Sequence, residues 1–300
     1  MAVTRVHSSD SQLFVNNIFG IETHRLPLLQ SLTISTSKDV TDLQSLGEYY
    51  ITDRILNSNQ TTSVELTHLV STGVSGFYPS ATDGYPFYAL QDQARRLLST
   101  ESYKFMAKDN AGETLITGAY PVSYDLQGAV GEVVSATTNY DADTVTFNTD
   151  ALTSDDDFPH ETLDTLPIFE PSKIAITTPA GLETEAMSSA SLNIQAFTLS
   201  ASVGREPKTR VGSRIPAFRY PVLPANGSLS FSVVKNQVTG INMSNLVLEK
   251  GTIKIDLQDE AGVSRMDFVT SGCSLESVSE SLSIDGNATM DFSYTFPIQY

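Results

Sequence analysis

Gln30-Ser31-Leu32-Thr33-Ile34-Ser35-Thr36-Ser37 is met again, later in the chain, as Gln195-Ala196-Phe197-Thr198-Leu199-Ser200-Ala201-Ser202. In each stretch apolar side chains alternate with Ser and Thr, the period-two pattern of a strand buried on one face. From Gln30 the offset of 165 holds without a gap for about forty positions. It also matches Gly47, Arg54 and Ser63 with Gly212, Arg219 and Ser228, and Val64, Leu66 and Leu69 with Leu229, Phe231 and Val234. Upstream, Gly20-Ile21-Glu22-Thr23 returns as Gly181-Leu182-Glu183-Thr184. Downstream, an offset of 150 pairs Lys104, Asp109, Ala111 and Gly112 with Lys254, Asp259, Ala261 and Gly262, and an offset of 145 pairs Thr144 and Phe147 with Thr289 and Phe292. Four blocks in one order read as a duplicated domain whose insertions fall in loops. One chain then fills two equivalent places, which moves the expected function from a pocket to an assembly.

Three hundred residues suit two domains of ordinary size. The expected division is 1–150 for the first domain, an acidic linker over 151–171 through Asp155-Asp156-Asp157, and 172–300 for the second. The pattern predicts a mainly β chain of two tandem antiparallel sandwich or barrel-like domains, each with one short helix and one long hairpin loop. Tyr103–Ala107 is expected to turn at Asp109-Asn110-Ala111-Gly112 into Thr114–Thr117, and Ile253–Leu257 to turn at Asp259-Glu260-Ala261-Gly262 into Arg265–Val269. Closing hairpins are expected to join Gly131–Ala136 to Thr144–Asn148 through Asp141-Ala142-Asp143, and Ser277–Ile284 to Ala288–Phe296 through Asp285-Gly286-Asn287. Phe87, Leu90, Ala94, Leu97 and Leu98 recur at helical spacing, with a shorter counterpart over Ser244–Glu249.

Two connections, Lys38–Thr62 and Val203–Gly227, run to about 25 residues each, far beyond an ordinary hairpin loop. They carry apolar side chains that a neighbouring subunit could bury. The residues expected to make contacts between subunits and between rings are Gly47, Tyr49, Tyr50 and Arg54 in the first loop and Gly212, Ile215, Phe218, Arg219 and Tyr220 in the second. Arg54 and Arg219 are the expected ion-pair formers between subunits.

Eighteen basic against 35 acidic residues give a net charge of −17. That balance opposes tight binding to a phosphate backbone, which draws its affinity from Lys and Arg displacing counterions. The single Cys273 cannot form an internal disulfide and reads as a small buried hydrophobe within a strand over Met266–Leu275. Apolar runs are of strand length, and Met1-Ala2-Val3-Thr4-Arg5 leads into polar residues, so a chain first kept in a cytoplasm is expected. The histidines His7, His24, His68 and His160 lack metal-ligand spacing, and no nucleophile elbow, dinucleotide fingerprint or phosphate loop occurs. No catalytic residue, cofactor or metal is therefore expected.

A strand, a long Gly- and Arg-containing loop, a return strand, a helix and a closing hairpin, with Leu248-Glu249-Lys250-Gly251-Thr252-Ile253-Lys254-Ile255 and the terminal Ser281–Tyr300 hairpin as the most family-like passage, resemble the tail tube proteins of tailed bacteriophages. The duplication points within that family to long, non-contractile tails with two tube domains per chain. The resemblance implies a structural virion protein without enzymatic activity, assembled in the host cytoplasm. Its partners would be further copies of itself in stacked homotrimeric, pseudo-hexameric rings, together with tape-measure, tail terminator and tail-tip proteins. Double-stranded genomic DNA would pass the lumen without specific binding, and no membrane insertion by this chain is implied. Strands of six domains would pair edge to edge around the ring, and the long loops and N-terminal arm would reach the next ring. Three chains would carry −51 formal charges, three times −17, which repels DNA phosphates. The open alternatives are a one-domain-type inner tube of a contractile machine and a β-rich adhesin or carbohydrate-binding surface protein.

Overall fold

The computed structural model describes residues 12–16, 23–25, 29–37, 40–43, 51, 53–56, 61–69, 97–98, 100, 102–109, 112–149, 173–177, 194–208, 210, 216–234, 251–258, 262, 264–281 and 288–298. They form antiparallel strands almost throughout: β1 Gln12–Asn16, β2 Thr23–Arg25, β3 Leu29–Ser37, β4 Val40–Leu43, β5 Asp53–Leu56, β6 Thr61–Leu69, β7 Tyr103–Asp109, β8 Gly112–Ala129, β9 Ser135–Ala142 and β10 Thr144–Thr149 in the first half. The second half supplies β11 Lys173–Thr177, β12 Ile194–Ser202, β13 Arg205–Lys208, β14 Phe218–Pro221, β15 Asn226–Val234, β16 Gly251–Gln258, β17 Ser264–Ser281 and β18 Thr289–Pro297. The mainly β class expected from the sequence is what the structure has. Of the expected helix before Ser99 only Leu97 and Leu98 are described, and they are helical; its counterpart over Ser244–Glu249 and the linker 151–171 lie outside the described residues.

One layer is an eight-stranded sheet that runs through both halves in the order β3-β6-β9-β8-β12-β15-β18-β17. A second layer is made where β8 and β17, 18 residues long each, run on past that sheet. There the start of β8 pairs with β7 and β10, β7 with β1 and β1 with β2, while the start of β17 pairs with β16 and β16 with β11. Gly118 and Gly272 mark the passage between layers, with φ of 64° and 72° that a residue with a Cβ adopts only under strain. A Cβ on Gly118 would run into the carboxylate of Asp143.

The halves repeat one pairing register. Leu29 faces His68 and Ile34 faces Val64, and at the offset of 165 Ile194 faces Val233 and Leu199 faces Leu229. Both ladders slip at the same place, between Leu29 and Ser31 and between Ile194 and Ala196. Pro121 faces Tyr140 as Leu275 faces Tyr294, an offset of 154 on both strands, with the bulge again in the same position. Phe105 faces Ile116 as Ile253 faces Thr270, at offsets of 148 and 154.

Two expectations fail here. The offset of 145 placed Phe147 on Phe292, but Phe147 is 57 % exposed on β10 while Phe292 is fully buried and its strand matches β9. Nor is Asp141-Ala142-Asp143 a hairpin turn. β9 and β10 both pair with β8, and the chain only bends at Asp143, whose N–H donates to the carbonyls of Thr117 and Gly118 at 3.1 Å each where β8 itself bends.

The apolar faces of the two layers enclose the core. Tyr124, Leu126, Val134 and Ala136 of the first half pack in one cluster with Phe197, Leu199, Phe231, Phe292 and Tyr294 and with Ile253, Ile255 and Leu257 of the second. Val64, Leu66, Phe105, Ile116 and Tyr140 form a smaller cluster within the first half. Burying one such side chain stabilises the fold by about 1.5–3 kcal/mol, so the shared cluster makes the halves a single packing unit at this seam. Cys273 lies in it, fully buried beside the Thr270 hydroxyl at 3.0 Å, and burial pushes its thiol up.

Candidate functional site

The eight-stranded sheet turns one face to the core and leaves the other open. Because successive strand residues point to opposite faces, the pairing registers identify the open-face residues directly. Ser31, Thr67, Thr137, Asp125, Ser200, Ser228, Thr295 and Ser274 form one row across all eight strands. A neighbouring row runs Thr33, Glu65, Asn139, Ser123 and Ser202. Hydrogen bonds knit the rows: Ser35 to Ser63 at 2.6 Å, Thr67 to Thr137 at 3.1 Å, and the Asn139 amide donating to Ser123 at 2.9 Å. Neither Lys nor Arg occurs in β3, β6, β9, β12, β15 or β18, nor in β8 and β17 beyond Gly118 and Gly272, whereas Glu65, Asp125, Asp141 and Asp291 stand on the open face by register. The face thus offers hydroxyls, amides and carboxylates and no cation, a surface that repels a polyanion and gives it nothing to grip.

The long loops are arms whose bases are paired. β4 and β5 join Val40 to Leu56 and Asp42 to Arg54, and β13 and β14 join Arg205 to Pro221 and Pro207 to Arg219, the same register at the offset of 165. The second arm is locked against the first half. Arg219 is 5 % exposed, donates from Nε to Asp143 at 2.9 Å and lies 3.7 Å from Asp141. Arg205 donates to the carbonyls of Leu97 at 2.8 Å and Pro121 at 3.0 Å. Burial draws Arg205 down to about 10, so it stays charged at neutral pH; burial also raises Asp141 and Asp143, outweighing the pull of Arg219.

The outer side of β14 differs in kind. Phe218 and Tyr220 are 41 % and 44 % exposed with ring centroids 6.0 Å apart, and Arg210 stands over the Phe218 ring at 5.4 Å. Val222 and Leu223 extend this apolar patch at 51 % and 62 % exposure.

Of the residues singled out in the sequence, Phe218 and Tyr220 are therefore exposed on the arm. Arg219 forms its ion pairs within the chain, between the two halves, where the sequence reading expected it to pair between subunits: its partners Asp141 and Asp143 stand beside it on the other half. Arg54 is on β5 opposite Asp42, its side chain outside the description; Gly47, Tyr49, Tyr50, Gly212 and Ile215 lie outside the described residues. Sequence reasoning missed Arg205 and the Asp141–Asp143 pair. The only available signal was that two carboxylates flank an alanine in a strand pattern. Among the described residues no cluster of His, Cys, Asp and Glu could hold a metal ion, and no helix is long and apolar enough to cross a membrane.

No family model matches the chain, and no curated protein matches it.

Proposed function

We propose that this chain is a structural subunit that builds a hollow tube, and within that class the tail tube subunit of a long-tailed bacteriophage, stacked as homotrimeric rings through which double-stranded DNA leaves the virion. One observation carries the reading: a single sheet passes through both halves with a continuous, hydroxyl-rich, cation-free open face. Turned inward, such a face lines a channel that a nucleic acid traverses without being held, since nonspecific affinity needs several Lys or Arg contacts to phosphate. The exposed Phe218–Tyr220 patch on the second arm fits burial by a neighbouring ring.

Negative-stain imaging of the concentrated protein is expected to give hollow rods with ring striations. In rods of the triple variant Glu65→Lys, Asp125→Lys, Asp291→Lys, double-stranded DNA is expected to be retained at low salt and released at high salt. Solitary particles at every concentration, or rods whose DNA retention ignores the three lysines, would contradict the reading. The exposed aromatic pair also fits the stacking platform of a carbohydrate-binding surface protein. That alternative predicts glycan binding lost in Tyr220→Ala with no rods formed.

A further inference from the structure

In the first half the two places where the chain crosses from one layer to the other lie side by side. β8 crosses at Gly118, and the passage from β9 to β10 crosses at Asp143. Asp143 knits the crossings together. Its N–H donates to the carbonyls of Thr117 and Gly118 at 3.1 Å each, and its carboxylate occupies the space into which a Cβ on Gly118 would project. Just beyond, inside the second layer, the hydroxyls of Thr117 and Thr144 bond to one another. In the second half the offset of 154 carries the same two positions to Gly272 and Pro297, and a Cβ on Gly272 would meet the Pro297 ring at 3.3 Å. Proline has no N–H to donate. The second crossing is therefore filled by an apolar ring, where the first is held by hydrogen bonds and charge.

The second arm grips the first crossing from both sides. Arg219 on β14 donates from Nε to Asp143 at 2.9 Å and lies 3.7 Å from Asp141. Arg205 on β13 donates to the carbonyl of Pro121, past the bend in β8, at 3.0 Å, and to that of the helical Leu97 at 2.8 Å. It also donates to the carbonyl of Arg219 at 3.2 Å, and its guanidinium stands over the Tyr120 ring at 5.7 Å. Side chains alternate along a strand, so the buried Arg219 turns its neighbours Phe218 and Tyr220 outward. Seating the arginine fixes which way both aromatics point.

We infer that the second arm and the bend in β8 are one coupled element: the arm is seated only while β8 bends at Gly118, and the bend is held only while Arg219 and Arg205 are seated. Asp143 is the positioning residue that joins them, because it meets Gly118 on one side and Arg219 on the other. Release of the arm is all or none. Taking one partner from a buried ion pair leaves the other charge uncompensated, so an intermediate with Arg219 half withdrawn is disfavoured. A ligand resting on Phe218 and Tyr220 is thereby felt by β7 and β10, which pair with the start of β8. The coupling belongs to the single chain and holds whether or not copies assemble.

Coupling between two sites is reciprocal, so it can be read from either end by hydrogen–deuterium exchange and limited proteolysis of the dilute full chain. In Arg219→Gln the amides of β13 and β14 and those of β7, β10 and residues 112–117 are expected to exchange about tenfold faster, by one common factor. The amides of β16 and residues 264–271, at the second crossing, are expected to keep their rates. Asp143→Asn retains both size and N–H, and is expected to move the same two groups together by a smaller factor. From the other end, Gly118→Ala is expected to speed tryptic cleavage after the exposed Lys208 and Arg210 of the arm by about tenfold. Gly272→Ala, whose bend touches Pro297 and no arm residue, is expected to leave that cleavage unchanged. Fast arm amides over an unchanged second layer would overturn the coupling. So would equal acceleration of both halves in Asp143→Asn, or an arm cleaved no faster in Gly118→Ala than in Gly272→Ala.

Discussion

β3 and β12 share a sequence pattern, a pairing register and a bulge, yet their inward side chains live in different surroundings. Phe197 and Leu199 on β12 are 2 % and 0 % exposed, while Leu32 and Ile34 on β3 are only half-buried. Neither strand accounts for the difference by itself. β12 has β8 on its far side, and β3 has no described strand there. Burial at these positions follows the number of described strand neighbours, two for β12 and one for β3.

The largest expected effect breaks the comparison at its covered end. Leu199→Ala should cost about 2–5 kcal/mol of subunit stability, the range for a truncated core residue left with a cavity. Ile34→Ala should cost about 1 kcal/mol in the isolated subunit, where its site is only half-buried, and clearly more once assembled. Urea unfolding of dilute and assembled protein measures both, and equal costs in dilute protein would erase the distinction.

Next comes the arm lock. Arg219→Ala leaves Asp141 and Asp143 beside the core without their cation, which should destabilise by about 3 kcal/mol. Arg54→Ala should cost under about 1 kcal/mol in the isolated subunit, because Arg54 lies on the short two-stranded arm of β4 and β5, opposite Asp42 of an exposed strand. Similar losses for the two variants would make the arms equivalent.

A smaller effect separates β6 from β15. His68 is buried and held down to about 4 by loss of solvation, below the ordinary value of 6.5; its counterpart on β15 is Val233. Between those pH values the unfolded chain takes up a proton that the native imidazole does not. Stability is therefore full above about pH 6.5 and falls toward pH 4, by at most about 1.4 kcal/mol per pH unit. Asp141 and Asp143, raised by burial, act in the opposite sense above 3.8 and offset part of the fall. Unfolding midpoints of His68→Val against pH should show a flatter profile; an unchanged slope would exclude His68 as its source.

The sequence made the strand–arm–strand unit legible residue by residue. The offset of 165 holds from β3 through β4, β5 and β6, because the apolar alternation and the Gly, Arg and Ser matches lie in one uninterrupted block. Beyond Leu69 the reading loses register. The offset of 150 differs by two from the 148 that β7 and β16 have, a slip that period-two alternation hides because it leaves every residue on its own face. The offset of 145 matches the wrong strand, since Phe147 lies exposed on β10 while the buried Phe292 lies on β18, whose pairing makes it the counterpart of β9. The cation-free face was half visible in the Ser and Thr positions of the repeat. Its continuity through β8 and β12 is a long-range pairing that no local pattern encodes.

Hydrogen–deuterium exchange as a function of protein concentration tests the proposed self-assembly most directly, because β3 and the distal part of β17 have one described strand neighbour each while β12 and the distal part of β8 have two. The account predicts that the amides of β12 and of β8 over Ser123–Ala129 exchange slowly at every concentration, while those of β3 and of β17 over Ser277–Ser281 pass from fast to slow as the protein assembles. Amides of β3 and β17 that are already slow in dilute protein, or that stay fast in assembled protein, would contradict it.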